Sequence, residues 1–211
     1  MRVGGRRLLA VMAGGTVLVG GGVTTLAAWQ DQAYDAAPLS LSSFNVQQTL
    51  DGTTFSENDT AGTALQLALS VNGALGGALT PGNATTGWVG LRAAPGSLGG
   101  TVTMSAPAVG TDTAGLAPHL TYQAVAGVDA ATCRAGGVLP TSGTGITALV
   151  ADGSSMSAAG ATSFAVPVGT GGAAGTTVGV CIRLKLDASL PRTFSATALS
   201  PVWTFSATSS N

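Results

Sequence analysis

Charged side chains are scarce in this 211-residue chain. They make up 8% of it, whereas an average soluble domain is about 25% charged. Lysine and histidine each occur once, as Lys185 and His119. A chain with so few basic residues is not a nucleic-acid binder of the basic-patch type. The net charge of −1 and the high apolar content exclude a charge-rich disordered tail. The missing Glu/Lys heptads argue against a coiled coil. A neutral β-protein or a membrane protein remains.

The N-terminus has the pattern of an export signal. Arg2, Arg6 and Arg7 precede an apolar stretch over residues 8–28, and no other charge occurs before Asp31. The stretch is long enough to span a bilayer, but its five glycines weaken a permanent helix by about 1 kcal/mol each. Small residues at the −3 and −1 positions predict cleavage between Ala27 and Ala28. We therefore predict a signal peptide over residues 1–27. The alternative is an uncleaved anchor, which would be the only link of the chain to a membrane.

The segment around the predicted cleavage site resembles a family of exported bacterial proteins, the TasA/camelysin-like proteins, which a SipW-type signal peptidase processes. Four features match, in this order along the chain: a glycine-rich apolar region, an Ala cleavage site, the pattern Ala-aromatic-x-Asp, and a strand that ends in an aromatic residue and Asn. The residues that match are Gly20, Gly21, Gly22, Ala27, Ala28, Trp29, Asp31, Phe44 and Asn45. The C-terminal sequences VCIRLKLDASLP and SPVWTFSATS are also similar. The resemblance implies secretion, a jelly-roll β-sandwich and, in the best-known members, assembly into biofilm-matrix fibres.

Apolar and polar residues alternate along much of the remaining chain, and this period of two is typical of half-buried strands. The alternation predicts strands at 65–71, 101–106, 120–124, 164–168, 178–187 and 202–207, and one at 39–50 with a bulge near Ser43. Asn72-Gly73 favours a hairpin after the first of these. Four segments rich in Gly, Pro, Ser and Thr indicate turns or flexible connections: LTPGNATTG, AAPGSLGG, GVLPTSGTG and GTGGAAGTT. The expected fold is all-β, an antiparallel, jelly-roll-like sandwich over residues 39–211.

Cys133 and Cys181 are the only cysteines. An even number of cysteines in an exported chain favours a disulfide. A thiol nucleophile or a metal pair is the alternative, but neither a CxxC motif nor a neighbouring histidine supports it.

Catalytic and metal-binding patterns are nearly absent from the sequence. A Ser/His/Asp triad would have to use His119, and no GxSxG motif accompanies it. HExxH is also missing, which argues against the metallopeptidase activity ascribed to some camelysin-like proteins. Asp51, Glu57 and Asp59 lie in a polar loop that could hold Ca²⁺, although a solvated turn is the simpler interpretation. We expect no enzyme activity and no cofactor.

We therefore expect a secreted structural or surface protein. Removal of the signal leaves five basic and nine acidic residues, a net charge of −4 that argues against nucleic acid and anionic lipid as partners. Residues 28–38 form an extended segment in which Trp29 and Tyr34, near Asp31, could anchor a strand donated to a neighbouring subunit. The partners would be the SipW-type peptidase and further copies of the chain or related matrix proteins. The alternative is a monomeric surface adhesion module with contacts around Trp88 or Tyr122.

Overall fold

The structure is a computed structural model that describes most of the chain after residue 43. The described residues are 44–58, 65, 67, 70–71, 74–75, 79–112, 115–190 and 199–210. The predicted signal peptide (1–27), its cleavage site at Ala27 and Ala28, and the segment 28–38 with Trp29, Asp31 and Tyr34 lie outside them, as does Asp59. Among the described residues, no helix is long and apolar enough to cross a membrane.

The described part of the chain forms ten strands in two antiparallel sheets, which confirms the predicted all-β antiparallel sandwich. The strands are β1 (Val46–Thr49), β2 (Ser70–Val71), β3 (Ala74–Leu75), β4 (Ala84–Ala93), β5 (Gly100–Met104), β6 (Leu120–Ala126), β7 (Thr147–Ser155), β8 (Phe164–Val166), β9 (Val178–Leu186) and β10 (Phe205–Ser209). The larger sheet has the order β3-β2-β4-β9-β6-β7, with β1 also paired to β4, and the smaller sheet has the order β10-β5-β8. One short helix, α1 (Ala130–Arg134), and 3₁₀ turns at Ala117–His119 and Thr170–Gly172 complete the described elements.

Several strands lie where the alternation predicts them. β5, β6 and β9 place their apolar positions in the core, as at Val102, Tyr122 and Ile182. β2 and β3 pair Val71 with Ala74 and leave positions 72 and 73 between them, as expected for a two-residue hairpin. β8 is an edge strand that ends before Pro167. Proline cannot donate to a ladder, which explains why the strand stops there.

The longest strand, β4, was not predicted by the sequence. The interpretation of LTPGNATTG as a turn is wrong for its second half, because β4 begins at Ala84. Both faces of β4 are buried, so its sequence lacks the alternation of a half-exposed strand. A Cβ atom at Gly90 would lie 2.7 Å from the Trp88 ring and 2.8 Å from Thr49. Glycine is needed there because the neighbouring side chains fill the available space.

The larger sheet is buried on both of its faces. One face packs against the smaller sheet and contributes Leu91, Ala124 and Ile182 to the main core. The opposite face carries a second apolar cluster around Trp88 and Val125. In the core, the buried Tyr122 hydroxyl donates to the carbonyl oxygen of Ala158, and burial raises the pKa of that hydroxyl.

The predicted disulfide joins Cys133 of α1 to Cys181 of β9 and lies within the second apolar cluster. Asp129 caps α1 by accepting a hydrogen bond from the Thr132 amide at 2.9 Å. The crosslink therefore fastens this helix across the outer face of the larger sheet, where Trp88 lies beside Cys181 in register.

Replacing both cysteines by alanine should make the domain less stable. The bridge closes a sequence separation of 48 residues, and the chain-entropy model gives about 4 kcal/mol for such a loop. We expect the free energy of unfolding, measured by urea denaturation, to fall by about 2–5 kcal/mol. A reductant should lower the stability of the unmodified protein to a similar level and leave the double variant unchanged. Equal stability of the oxidised protein and the double variant would contradict this role.

Candidate functional site

One edge of the smaller sheet presents a row of unused backbone groups. The Ser105 amide donates to the Thr204 carbonyl and the Ser210 amide to the Gly99 carbonyl, both at 3.0–3.1 Å. Antiparallel pairing alternates along a strand, so Thr204 and Ser210 face β5. The backbone groups of the intervening Phe205, Ala207 and Ser209 face the other way. Within the described ranges, no residue pairs with this outer edge of β10.

Two strands at the margins of the larger sheet, β1 and β7, carry further hydrogen bonds on their outer sides. At β1, the Gln48 and Ser56 backbones exchange two hydrogen bonds of 2.8 and 2.9 Å. At β7, the Ala161 amide donates to the Leu149 carbonyl at 2.9 Å, and the Thr162 hydroxyl donates to the Ala148 carbonyl at 2.6 Å. Covered edges resist pairing with another chain, whereas a bare edge invites it. Of these three strands, β10 is therefore the one suited to accept a further strand.

An open cavity of about 620 Å³ lies between the two sheets near β10. Its walls come from both sheets and from the segment before β10, and most of them are apolar. They include Val89, Leu91, Val102, Ile182, Trp203 and Phe205. No acidic or basic side chain of the described part of the chain lines it. The cavity is therefore suited to uncharged, apolar groups.

Trp203 lines this cavity and carries a buried polar group without a partner among the described residues. Its ring packs against Tyr122, with ring centroids 6.5 Å apart. The indole Nε1–H is buried and has no hydrogen-bond partner among the described residues. By contrast, the Trp88 indole donates to the Val128 carbonyl at 2.8 Å. An unmade hydrogen bond at a buried donor costs roughly 1–3 kcal/mol, so the Trp203 N–H lowers the local stability of this region.

A second unpaired polar group lies on the outer face of the larger sheet. Gln123 is fully buried, and neither end of its amide has a partner in the described part of the chain. Its neighbour across the ladder is Arg183, which forms an ion pair with Asp152 at 3.1 Å. Neither Gln123 nor Trp203 was singled out from the sequence. The missing hydrogen bonds result from the tertiary surroundings of the two side chains.

Asp51, the first of the three Ca²⁺ candidates, uses its carboxylate within its own loop. Its Oδ1 accepts hydrogen bonds from the Thr53 and Thr54 amides, both at 2.7 Å, and from the Thr49 hydroxyl at 2.9 Å. The Thr54 and Thr53 amides lower the pKa of Asp51 well below its usual range. Glu57 is exposed, and the described residues contain no group of three or more side chains that could hold a metal ion.

The two aromatic residues expected to mark exposed contact loops are buried. Trp88 is 8% exposed and Tyr122 is 1% exposed, because both lie on interior strands of the larger sheet. The interpretation of these residues as surface contacts is therefore wrong. Tyr122 packs in the main core, and Trp88 packs in the second apolar cluster near α1.

His119 ends a short 3₁₀ turn just before β6, and its carbonyl accepts a hydrogen bond from the Asp187 amide at 2.9 Å. Two carboxylates, those of Asp112 and Asp187, lie near this turn. The largest cause of their lowered pKa values is a backbone amide, of Ala117 for Asp112 and of Ser189 for Asp187. Both carboxylates thus stabilise local turns around the histidine.

The substitution Asp51→Asn should reduce the loss of stability in acid. The folded-state pKa of Asp51 lies below its usual value of 3.8, so the unfolded chain takes up this proton first. Its contribution is therefore complete above about pH 4 and is lost as the pH falls below that value. Urea midpoints at pH 7, 5 and 3 should decrease less steeply for the variant. Glu57→Gln, which removes a charge from the same loop and leaves the Asp51 hydrogen bonds intact, is the control. Identical pH profiles for Asp51→Asn and the unmodified protein would disprove this role.

Comparisons with known proteins identify neither a family nor a relative of this chain. No model of a known protein family matches the chain, and no curated protein matches it. A function for the chain therefore rests on its sequence pattern and on the geometry of the strand edge and the open cavity.

Proposed function

We propose that this chain is an exported structural subunit of the bacterial cell surface or biofilm matrix that assembles by strand donation. In this proposal, residues 28–38 of one copy add to the outer edge of β10 in another copy. The outer edge of β10, with which no described residue pairs, is the observation that carries the proposal. The outer sides of β1 and β7, by contrast, are occupied by hydrogen bonds of the same chain.

The chemistry of the edge suits an extended partner. Phe205, Ala207 and Ser209 each direct an amide and a carbonyl outward, so a donated strand would gain a ladder of backbone hydrogen bonds. Such bonds set the register but carry little sequence information. Side chains of the donor would supply that information, and Trp29 and Tyr34 are the large apolar groups that the segment offers. Asp31, between them in sequence, would favour an orientation that keeps its carboxylate in water.

Export and processing complete the proposal. A SipW-type signal peptidase would cut between Ala27 and Ala28 and thereby free the donor segment. The disulfide between Cys133 and Cys181 supports a location outside the cytosol, since such bonds persist in oxidising compartments. The subunit would need no catalytic group and no cofactor. Its partners would be other copies of the chain or related matrix proteins.

Ser209→Pro should weaken assembly of the secreted protein by removing an outward amide donor. Ser209 is exposed, and its amide faces away from β5, so the proline leaves the existing ladder intact. We expect electron microscopy and size-exclusion chromatography to show fibres for the unmodified protein and for the control Ser209→Ala. Ser209→Pro and a variant that lacks residues 28–38 should remain monomeric.

Two results would contradict the proposal. Fibres formed by the protein without residues 28–38 would show that this segment is not the donor. A protein that stays monomeric at every concentration after correct cleavage would instead favour the alternative, a monomeric surface adhesion or binding module.

A further inference from the structure

We propose that two copies of one short sequence compete within each chain for the place beside β5, so that β10 can exchange with the segment that precedes it. The pentapeptide Thr-Phe-Ser-Ala-Thr occurs at 193–197 and again at 204–208, with an offset of 11 residues. The second copy supplies four of the five residues of β10. The first copy lies outside the described residues, so its sequence is the basis for its role. The exchange takes place within one chain and does not depend on strand donation between copies.

The contacts that β10 makes with its surroundings use residues that both copies contain. Phe205 and Ala207 pack against the main core. Ser206 and Thr208 are exposed and lie beside β5, and the Thr208 hydroxyl donates to the Thr101 carbonyl at 3.4 Å. The first copy has the same residues in the same order, and side chains alternate between the two faces of a strand. It would therefore present the same apolar face to the core and the same hydroxyl groups to water.

The residues that precede each copy favour the second one. Val202 and Ala108 exchange two backbone hydrogen bonds of 2.9 Å, and Trp203 packs against the main core. After a shift of 11 residues, Pro191 would replace Val202 and could not donate a hydrogen bond. Arg192 would replace Trp203 and bring a charge to the edge of the core, which is unfavourable. These differences explain why the second copy forms β10.

Two features reduce that preference. The Trp203 indole N–H is buried and has no hydrogen-bond partner among the described residues, and it would regain a partner in water once the strand left. Leu190, the last described residue before the first copy, is buried in the main core that Phe205 also contacts. The chain thus reaches this core just before the first copy begins. The shifted arrangement is a minor state of the folded protein in which residues 202–211 are released from the sheet.

Pairs of introduced cysteines report which copy lies beside β5 in the secreted protein. Thr103 lies opposite Ser206 in the register, and opposed residues of antiparallel strands are close enough for a disulfide. Thr103→Cys combined with Ser206→Cys should crosslink rapidly in a glutathione redox buffer. Thr103→Cys combined with Ser195→Cys should crosslink within the chain more slowly, because Ser195 is the counterpart of Ser206 in the first copy. Mass spectrometry of the digested protein would identify each bond.

Two control pairs distinguish a defined register from random encounters. Ala196→Cys places the thiol one position further along, on the opposite face of a strand. Ser200→Cys places it outside the repeat. Each of them, combined with Thr103→Cys, should crosslink about 10-fold more slowly than the Ser195 pair, or not at all, because neither thiol would lie opposite position 103.

Two further substitutions should change the population of the shifted state in opposite directions. Phe194→Ser removes the ring of the first copy and leaves β10 intact. It should slow the Ser195 crosslink by about 10-fold or more, without effect on the Ser206 crosslink. Trp203→Arg gives both copies the same preceding residue and should accelerate the Ser195 crosslink. Circular dichroism would verify that each variant is folded.

Three outcomes would overturn the inference. The first is a Ser195 crosslink that forms no faster than the Ser200 control or forms only between chains. The second is a Ser195 crosslink that Phe194→Ser does not slow. The third is resistance of residues 202–211 to carboxypeptidase in the protein crosslinked at Ser195, because β10 would then have kept its place. Fibre formation is measured separately, so failure of this inference leaves the assembly proposal to its own test.

Discussion

Burial of the larger sheet on both faces is the constraint on which the rest of the structure depends. β4, β9 and β6 lie side by side, and nearly every residue along them is buried. One face meets the smaller sheet, and the other meets α1 and the cluster around Trp88. With so few large aromatic residues, both clusters consist mainly of aliphatic side chains and alanine. Close packing of these small side chains therefore has to supply much of the stabilisation.

The disulfide and the glycines follow from that constraint. Trp88, Cys181 and Val125 are neighbours across three strands, and the crosslink from Cys181 holds α1 over them. The bulky indole fits only because Gly90 and Gly179 flank it without side chains. The abundance of glycine, which in the sequence suggested turns and loose connections, therefore also serves dense packing within strands. The same abundance costs backbone entropy on folding, which the crosslink helps to offset.

Two features of the described structure are candidates for function, namely one strand edge and one cavity. The interior strands are fully committed to pairing, and the β1 and β7 edges are closed by hydrogen bonds from their own chain. β10 and the cavity beside it remain, and they differ in chemistry. The strand edge offers backbone groups to an extended chain, whereas the cavity offers mostly apolar walls.

The sequence by itself determined the fold class, the strands β5, β6 and β9, the hairpin between β2 and β3, and the disulfide. Alternation of apolar and polar residues indicates a strand with one apolar and one polar face. Two cysteines allow only one intrachain disulfide. The sequence did not indicate β4, because apolar Trp88 and Val89 stand on opposite faces between glycines, whereas β9 keeps the polar Arg183 and Lys185 on one face. It also placed Trp88 and Tyr122 at the surface, although they are buried. Only the tertiary structure decided which edge is bare and that the Trp203 indole is unpaired, because both depend on contacts between residues far apart in the chain.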